Sequence, residues 1–341
     1  MVVKNDPGER RRERLDRGIK IRADSIYAVS SLKEIMFLLG PRLVLFVGLL
    51  ALPLLMPNMY WQKVLCIFGV NALLALGFDF LANSVGLVCL GGALFVGVGG
   101  YVSGILNSSF GLSPVLSIPV GAVGGAIICT IALLPCFPLR GPYFAIVSFI
   151  YPLVMVRLIA STRIFGGTEG ISGLPTPTNI WSAQYLVIGL VLICMFGLRR
   201  LVNQDVGLVF RGVKDNEQAI RASGLSITYY KTIAMFIAAF MGCFSGAYLS
   251  YLYGWAGMSL FAIDFSILPL AASVVGGPGT LVGPVLGSLI LVPISEALRA
   301  FGTLRIVFYS ICIVFFAVFF TEGLLNYFRR KYEQIEHWVR V

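Results

Sequence analysis

Long uninterrupted apolar runs separated by short polar turns make up most of the chain, as in Leu43–Met56, Ser113–Phe137 and Leu304–Phe320. With about 20 apolar residues per membrane crossing as the yardstick, the pattern predicts about ten helices. They are Arg42–Pro57, Trp61–Phe80, Gly86–Leu106, Ser113–Phe137, Tyr143–Ala160, Gln184–Gly197, Ile233–Tyr253, a short Ile263–Gly276, Leu281–Leu298 and Leu304–Phe320. A membrane β-barrel would instead alternate apolar and polar residues over roughly ten positions. The continuous runs therefore predict an all-α polytopic membrane protein, because a span in lipid must satisfy its own backbone hydrogen bonds.

Composition agrees. Of the 341 residues 58% are hydrophobic and only 12% charged, with a mean hydropathy of +0.89. A soluble domain carries about 25% charged residues, so too little polar surface is left to face water. Disorder is excluded, since it needs low hydrophobicity and high charge. Seven cysteines all lie in apolar runs, form no CxxC and are odd in number, which favours packing over a disulfide framework or zinc site. The single histidine, His337, lies in a polar C-terminal stretch, leaving little material for a metal or nucleophile site.

Charge sets the expected orientation. With the N-terminus inside and the sides alternating, the inner segments carry ten Lys and Arg in residues 1–42, Arg140, six in 198–232 and four in the C-terminal tail, of 26 in all. Lys63, Arg157, Arg163, Arg299 and Arg305 remain outside. That bias follows the positive-inside rule and places both termini in the cytoplasm. The net charge of +10 thus reports on orientation and anionic lipid headgroups rather than nucleic acid. Residues 1–42 read as a basic cytoplasmic tail, with 25–40 either an interfacial helix or an early start of the first span, and not as a secretory signal peptide. Residues 43–322 read as the transmembrane domain and 323–341 as a cytoplasmic tail.

Two long polar loops stand out, and such loops are usually functional. The inner one, Leu198–Thr232, contains Asp215-Asn216-Glu217-Gln218-Ala219-Ile220-Arg221-Ala222-Ser223-Gly224. It predicts a short helix stopped by Gly224, with Glu217 and Arg221 spaced to pair and Ala219 and Ala222 leaving a face open to a partner. A docking helix for a soluble motor and a solvated connector both fit. The outer loop, Ser161–Ala183, holds Gly166-Gly167-Thr168-Glu169-Gly170. Glycine pairs at Gly100 and Gly104 and at Gly283 and Gly287 favour close helix packing, with a route lined by glycine as the other reading. Asp79, Asp264 and Glu296 sit near predicted span ends, where snorkelling to an interface competes with a functional role. Gly276-Gly277-Pro278-Gly279-Thr280 lacks the Gly-Lys-Ser/Thr ending of a P-loop, so any ATPase must be a partner.

Five stretches in order carry a resemblance to a known family. They are Gly86–Tyr101, Leu139–Ile146, Gly166–Pro175, Asp215–Lys231 and Gly276–Gly287. The inner loop resembles the EAA loop of ABC importer permeases, and the whole resembles the branched-chain amino acid permease family of LivM type. The family usually carries Ser and then His or Gln where this chain has Cys89 and Gly92, and Asn where it has Asp79. Near the end it has Arg-Pro-Gln-Gly-Leu where this chain has Thr321-Glu322-Gly323-Leu324. The changes at Cys89 and Gly92 bear on the substrate, since polar groups there could face its path.

The resemblance implies a permease in the bacterial plasma (inner) membrane, most naturally for branched-chain or other small amino acids, and not an enzyme. Its implied partners are a second homologous permease, two cytoplasmic ATP-binding subunits that use ATP and Mg, and an extracytoplasmic substrate-binding protein. The chain itself would bind no cofactor or metal. Asp215, Asn216, Glu217, Ala219, Arg221, Ala222 and Gly224 would form the ATPase-coupling helix. Gly167, Thr168, Glu169 and Gly170 would meet the binding protein. Cys89, Gly92, Phe95, Tyr143 and Phe144 are candidates for the translocation pathway. Urea or short amides are the alternative substrates. An ion-coupled secondary transporter is the rival of another class, disfavoured by the scarcity of midplane charges. A membrane enzyme would need clustered His, Asp or Ser-Lys groups, which the sequence does not offer.

Overall fold

The computed structural model describes residues 46–54, 58–139, 141–162 and 166–302, with isolated positions from 307 to 325. The chain divides into two units at Leu49 and Leu50. In the first, residues 46–49 are helical; all the numbered elements belong to the second. The basic N-terminal tail with its 25–40 segment, most of the tenth predicted span and residues 326–341 lie outside the described residues.

The numbered helices are α1 (Met59–Asp79), α2 (Gly92–Phe110), α3 (Pro114–Leu133), α4 (Pro142–Thr162), α5 (Ile180–Val202), α6 (Asp205–Asp215), α7 (Glu217–Ala222), α8 (Ile227–Tyr253), α9 (Asp264–Gly276) and α10 (Gly283–Ala297). Two short strands, β1 (Ile171–Ser172) and β2 (Trp255–Ala256), pair antiparallel with Ile171 opposite Ala256. Among the described residues seven helical stretches are long and apolar enough to cross a membrane, and α10 is a shorter apolar helix. The protein is thus a helical, multi-pass membrane protein.

The structure revises two predicted boundaries. A π-helical turn, Phe80–Val85, prolongs α1, and α2 starts only at Gly92. Residues 86–91, expected as the first turn and a half of a helix, are non-helical although Leu87, Cys89 and Gly91 are buried. A second break precedes α9, where a 3-10 turn at Met258–Phe261 follows β2. Glycine permits both: hydrophobic period alone reports burial, and a buried irregular segment reads the same as a buried helix.

Close backbone contact holds the centre together. A Cβ at Gly246 of α8 would overlap the Val96 carbonyl oxygen of α2, and one at Gly99 would overlap the Cys243 backbone. The packing expected of the Gly283 and Gly287 pair also appears: a Cβ at Gly287 would overlap the Ala272 carbonyl oxygen, and one at Gly283 that of Gly277. Without a hydrophobic drive between helices in lipid, this intimacy and interhelical hydrogen bonds supply the attraction. Asn71 Nδ2 donates to Ser288 Oγ at 3.0 Å, joining α1 to α10. Tyr248 Oη donates to the Ala183 carbonyl at 3.0 Å, joining α8 to α5. Gln184 Nε2 donates to the Gln62 carbonyl at 3.1 Å, joining α5 to α1.

Burial separates centre from periphery. The α1 span is 89% buried and that of α8 72%, against 28% for α4. The exposed faces of α3 and α4 are apolar, with Val115, Ile131, Ile146 and Leu158 on the surface, which suits contact with lipid tails rather than water. Gly323 packs on Gly277, so the core reaches at least that far along the chain.

Gly246→Val is expected to break the α2–α8 contact, since overpacking against backbone cannot be relieved by a rotamer change. Gly189→Val is the control, because a Cβ there meets nothing within 4 Å. Size-exclusion profiles of detergent-solubilised protein should show the first aggregated and the second like wild type.

Candidate functional site

The two breaks meet. A Cβ at Gly92 would overlap the Phe265 carbonyl oxygen, so α2 and α9 cross backbone to backbone at their first turns. Ala93 N donates to Ser266 Oγ at 3.0 Å across this crossing. Leu90 N donates to Ser148 Oγ at 2.9 Å, in the second turn of α4. These hydroxyls take up amide hydrogens that the broken helix has left without a helical acceptor.

Beside the crossing lies a small cavity, with about 20 Å³ open to the centres of water-sized spheres, room for roughly one water. Cys89, Gly92 and Phe95 line it, with Leu74 and Phe78 of α1, Ala238 of α8 and Phe265 of α9 among the other walls. Three of the five sequence-derived pathway candidates therefore come together. Tyr143 and Phe144 do not join them. Tyr143 is exposed at the start of α4, and Phe144 packs on Phe137 with ring centroids 6.2 Å apart. The turn that contains them had been joined to the pathway by motif alone, without a position in space. Phe265 and Ser266 were missed; the short predicted span beginning at Ile263 was the one available signal.

Asp79 occupies the end of α1 nearest the inner loop. It is 1% exposed, so the interface-snorkelling reading does not hold for it. Its Oδ1 accepts from Asn83 Nδ2 at 2.7 Å, Gly279 N at 2.8 Å and Ser273 Oγ at 3.2 Å, fastening the Gly276–Val282 turn to α1. Its Oδ2 makes no hydrogen bond among the described residues. Glu296, by contrast, pairs with Arg299 at 2.9 Å and accepts from Tyr60 Oη at 2.9 Å, at the opposite end of α1.

The inner loop contains two helices rather than one. Helix α6 buries Gly207, Phe210 and Val213, and Phe210 meets Phe80 edge-on at 5.7 Å and Tyr230 at 6.3 Å. Lys214 Nζ donates to the Asn83 carbonyl at 2.9 Å. Helix α7 follows, capped by Asn216, whose Oδ1 accepts from Gln218 N at 3.0 Å and Ala219 N at 3.2 Å. It closes as the glycine stop predicts. Gly224 is left-handed at φ 81°, Leu225 N reaches the Ile220 carbonyl at 3.4 Å, and Gly224 N reaches that of Arg221 at 3.1 Å, the two bonds of a Schellman ending. No residue of α7 is buried, and Asp215, Asn216, Ala219, Arg221, Ala222 and Gly224 are exposed. Spacing lets Glu217 pair with Arg221; the structure adds an ion pair with Lys231 of α8, at 2.5 Å.

The outer loop is shaped by the far end of α8. A Cβ on Gly170 would come within 2.5 Å of the Ala256 carbonyl oxygen, and Trp255 Nε1 donates to the Glu169 carbonyl at 3.1 Å. Thr168 and Glu169 are exposed, while Gly167 is buried beneath them. The 27 residues of α8 span about 40 Å between this loop and the inner helices.

A family model for the branched-chain amino acid transport system permease component matches residues 61–320. The chain belongs to this family. LivM, the high-affinity branched-chain amino acid transport system permease protein of Salmonella typhimurium, is 26% identical over 287 residues, covering 75% of this chain and 68% of its own. The Escherichia coli protein of the same name is similar to the same extent. The probable branched-chain amino acid transport permease protein LivM of Methanocaldococcus jannaschii is 25% identical over 240 residues, 61% of this chain and 69% of its own. No solved structure matches. In this permease among its relatives, the matched region includes the helix crossing, the cavity, both loops and Asp79.

Asp79→Ala is expected to lose about 2–4 kcal/mol of stability, because three donors are left without their acceptor. Asp79→Asn keeps Oδ1 and should lose about 1 kcal/mol or less. Thermal denaturation of the purified permease in detergent measures both.

Proposed function

We propose that this chain is the translocation subunit of an ABC importer for branched-chain or other small amino acids in the bacterial plasma membrane. The single observation that carries this reading is α7, an exposed, doubly capped helix presenting small side chains at one end of the helical bundle. Its partners would be a second permease, two ATP-binding subunits and an extracytoplasmic binding protein. Helix α7 would seat in a groove of an ATPase subunit on the cytoplasmic side. Thr168 and Glu169 would receive the binding protein on the other.

The substrate would pass the crossing of α2 and α9. The carbon-rich lining of the cavity suits an aliphatic side chain better than urea, which favours the amino-acid reading. At about 20 Å³ the cavity is closed to such a side chain. ATP binding would shift the balance between conformations in which α2 and α9 part toward one side or the other. The chain breaks no covalent bond; its role is differential stability of those conformations.

The test is uptake of labelled leucine and urea by proteoliposomes holding the complete importer. Leucine accumulation dependent on ATP supports the reading, and urea accumulation alone would replace its substrate. Gly224→Val strains the left-handed stop without meeting a neighbour, since nothing lies within 4 Å of its Cβ. It and Ala219→Trp are expected to fold yet cut uptake on the order of tenfold or more. Full uptake by both variants would reduce α7 to a connector. Glu169→Lys is expected to weaken stimulation by the binding protein while basal ATPase activity persists; unchanged stimulation would remove this loop from the contact.

A further inference from the structure

The closest ion pair of the inner region joins α7 to the bundle. Lys231 lies in the second turn of α8, and its side chain is 5% exposed, against 26% for Glu217. An ammonium so enclosed requires a counter-charge, and the carboxylate of α7 meets it at 2.5 Å. Helix α7 has no buried residue of its own. This pair ties it to α8, and the approach of Ile220 to Gly212 packs it on α6.

What lies beyond Lys231 gives the pair its significance. Helix α8 passes the cavity at Ala238, about 10 Å further along the axis. It then meets α2 closely, Gly242 against the Phe95 side chain and Gly246 against the Val96 backbone. It ends at β2, which carries the outer loop. A displacement of α7 applied at Lys231 reaches the cavity wall and the α2 break through one rigid helix.

We infer that the Glu217–Lys231 pair is a strut. Its two residues position α8 in response to the motor, and Glu217 faces inward to Lys231 rather than outward to the ATPase. This rests on the docking role given to α7 and goes beyond it, assigning Glu217 a partner within its own chain.

Charge exchange in the complete reconstituted importer tests the strut. Glu217→Lys and Lys231→Glu, each alone, are expected to lower substrate-stimulated ATP hydrolysis on the order of tenfold or more, and substrate moved per ATP with it. The double exchange is expected to recover most of both. If Glu217 instead contacts the ATPase, the double exchange stays as impaired as Glu217→Lys, and the strut is overturned.

Single reversals that fail to assemble are met by the neutral pair Glu217→Gln with Lys231→Met, which leaves no buried charge unmatched. That variant should assemble with the ATPase subunits in co-purification and yet lose stimulation. Assembly with normal coupling would overturn the strut. Ala219→Trp separates the two ideas: if it leaves uptake intact, the docking reading fails, whereas impaired Ala219→Trp beside a fully coupled neutral pair refutes the strut alone.

Discussion

A peptide group that leaves a helix inside an apolar protein must find another partner, at a cost of several kcal/mol if it does not. Among the described residues this permease leaves its helices before α2 and before α9. At the first, the exposed amides are met by serine hydroxyls brought from elsewhere, Ser148 for Leu90 and Ser266 for Ala93; at the second, the amides of Leu260, Ala262 and Phe265 turn to the nearby carbonyls of Gly257, Ser259 and Ala262. Glycine at position 92 lets the two broken elements touch through their backbones. The cavity exists because the helices stop there, and the chain can stop there only because those acceptors are in place.

The arrangement divides labour along the chain. Helices α1 and α8 form an enclosed centre, while α3 and α4 turn apolar faces outward. The Asp79 carboxylate ties the end of α1 to the turn between α9 and α10, and α6 rests on the same end through Phe210 and Lys214. One end of the centre is thus bonded both to the inner helices and to the elements that frame the cavity. The other end is bonded to the outer loop through β1 and β2.

Much of this was legible in the residues. Continuous apolar runs identified the helical class and most spans, and the asparagine and glycine that bound α7 marked its ends because caps act locally. The Gly-Gly-Thr-Glu-Gly stretch announced a shaped turn for the same reason. The gap between Tyr253 and Ile263 was legible, but the break at 86–91 was not, since burial without helix carries the same apolar signature as burial with it. For Asp79 the interfacial and functional readings stayed open, because distance along a span says nothing of the turn that folds over it from 200 residues later. The spacing that lets Glu217 pair with Arg221 along one helix is visible in a sequence, whereas the proximity of Lys231 depends on how α7 folds back on α8.

The central claim is that the crossing of α2 and α9 lies on the substrate's route and opens only under the motor. Cys89 lines that cavity and is 5% exposed, so it serves as a native reporter once the other six cysteines are replaced. The direct measurement is its alkylation by a small, membrane-impermeant thiol reagent in the reconstituted importer. The account expects Cys89 to be unreactive at rest, reactive when binding protein and ATP are supplied, and slowed again by excess substrate. Equal reactivity in every condition, or none during sustained transport, would contradict it.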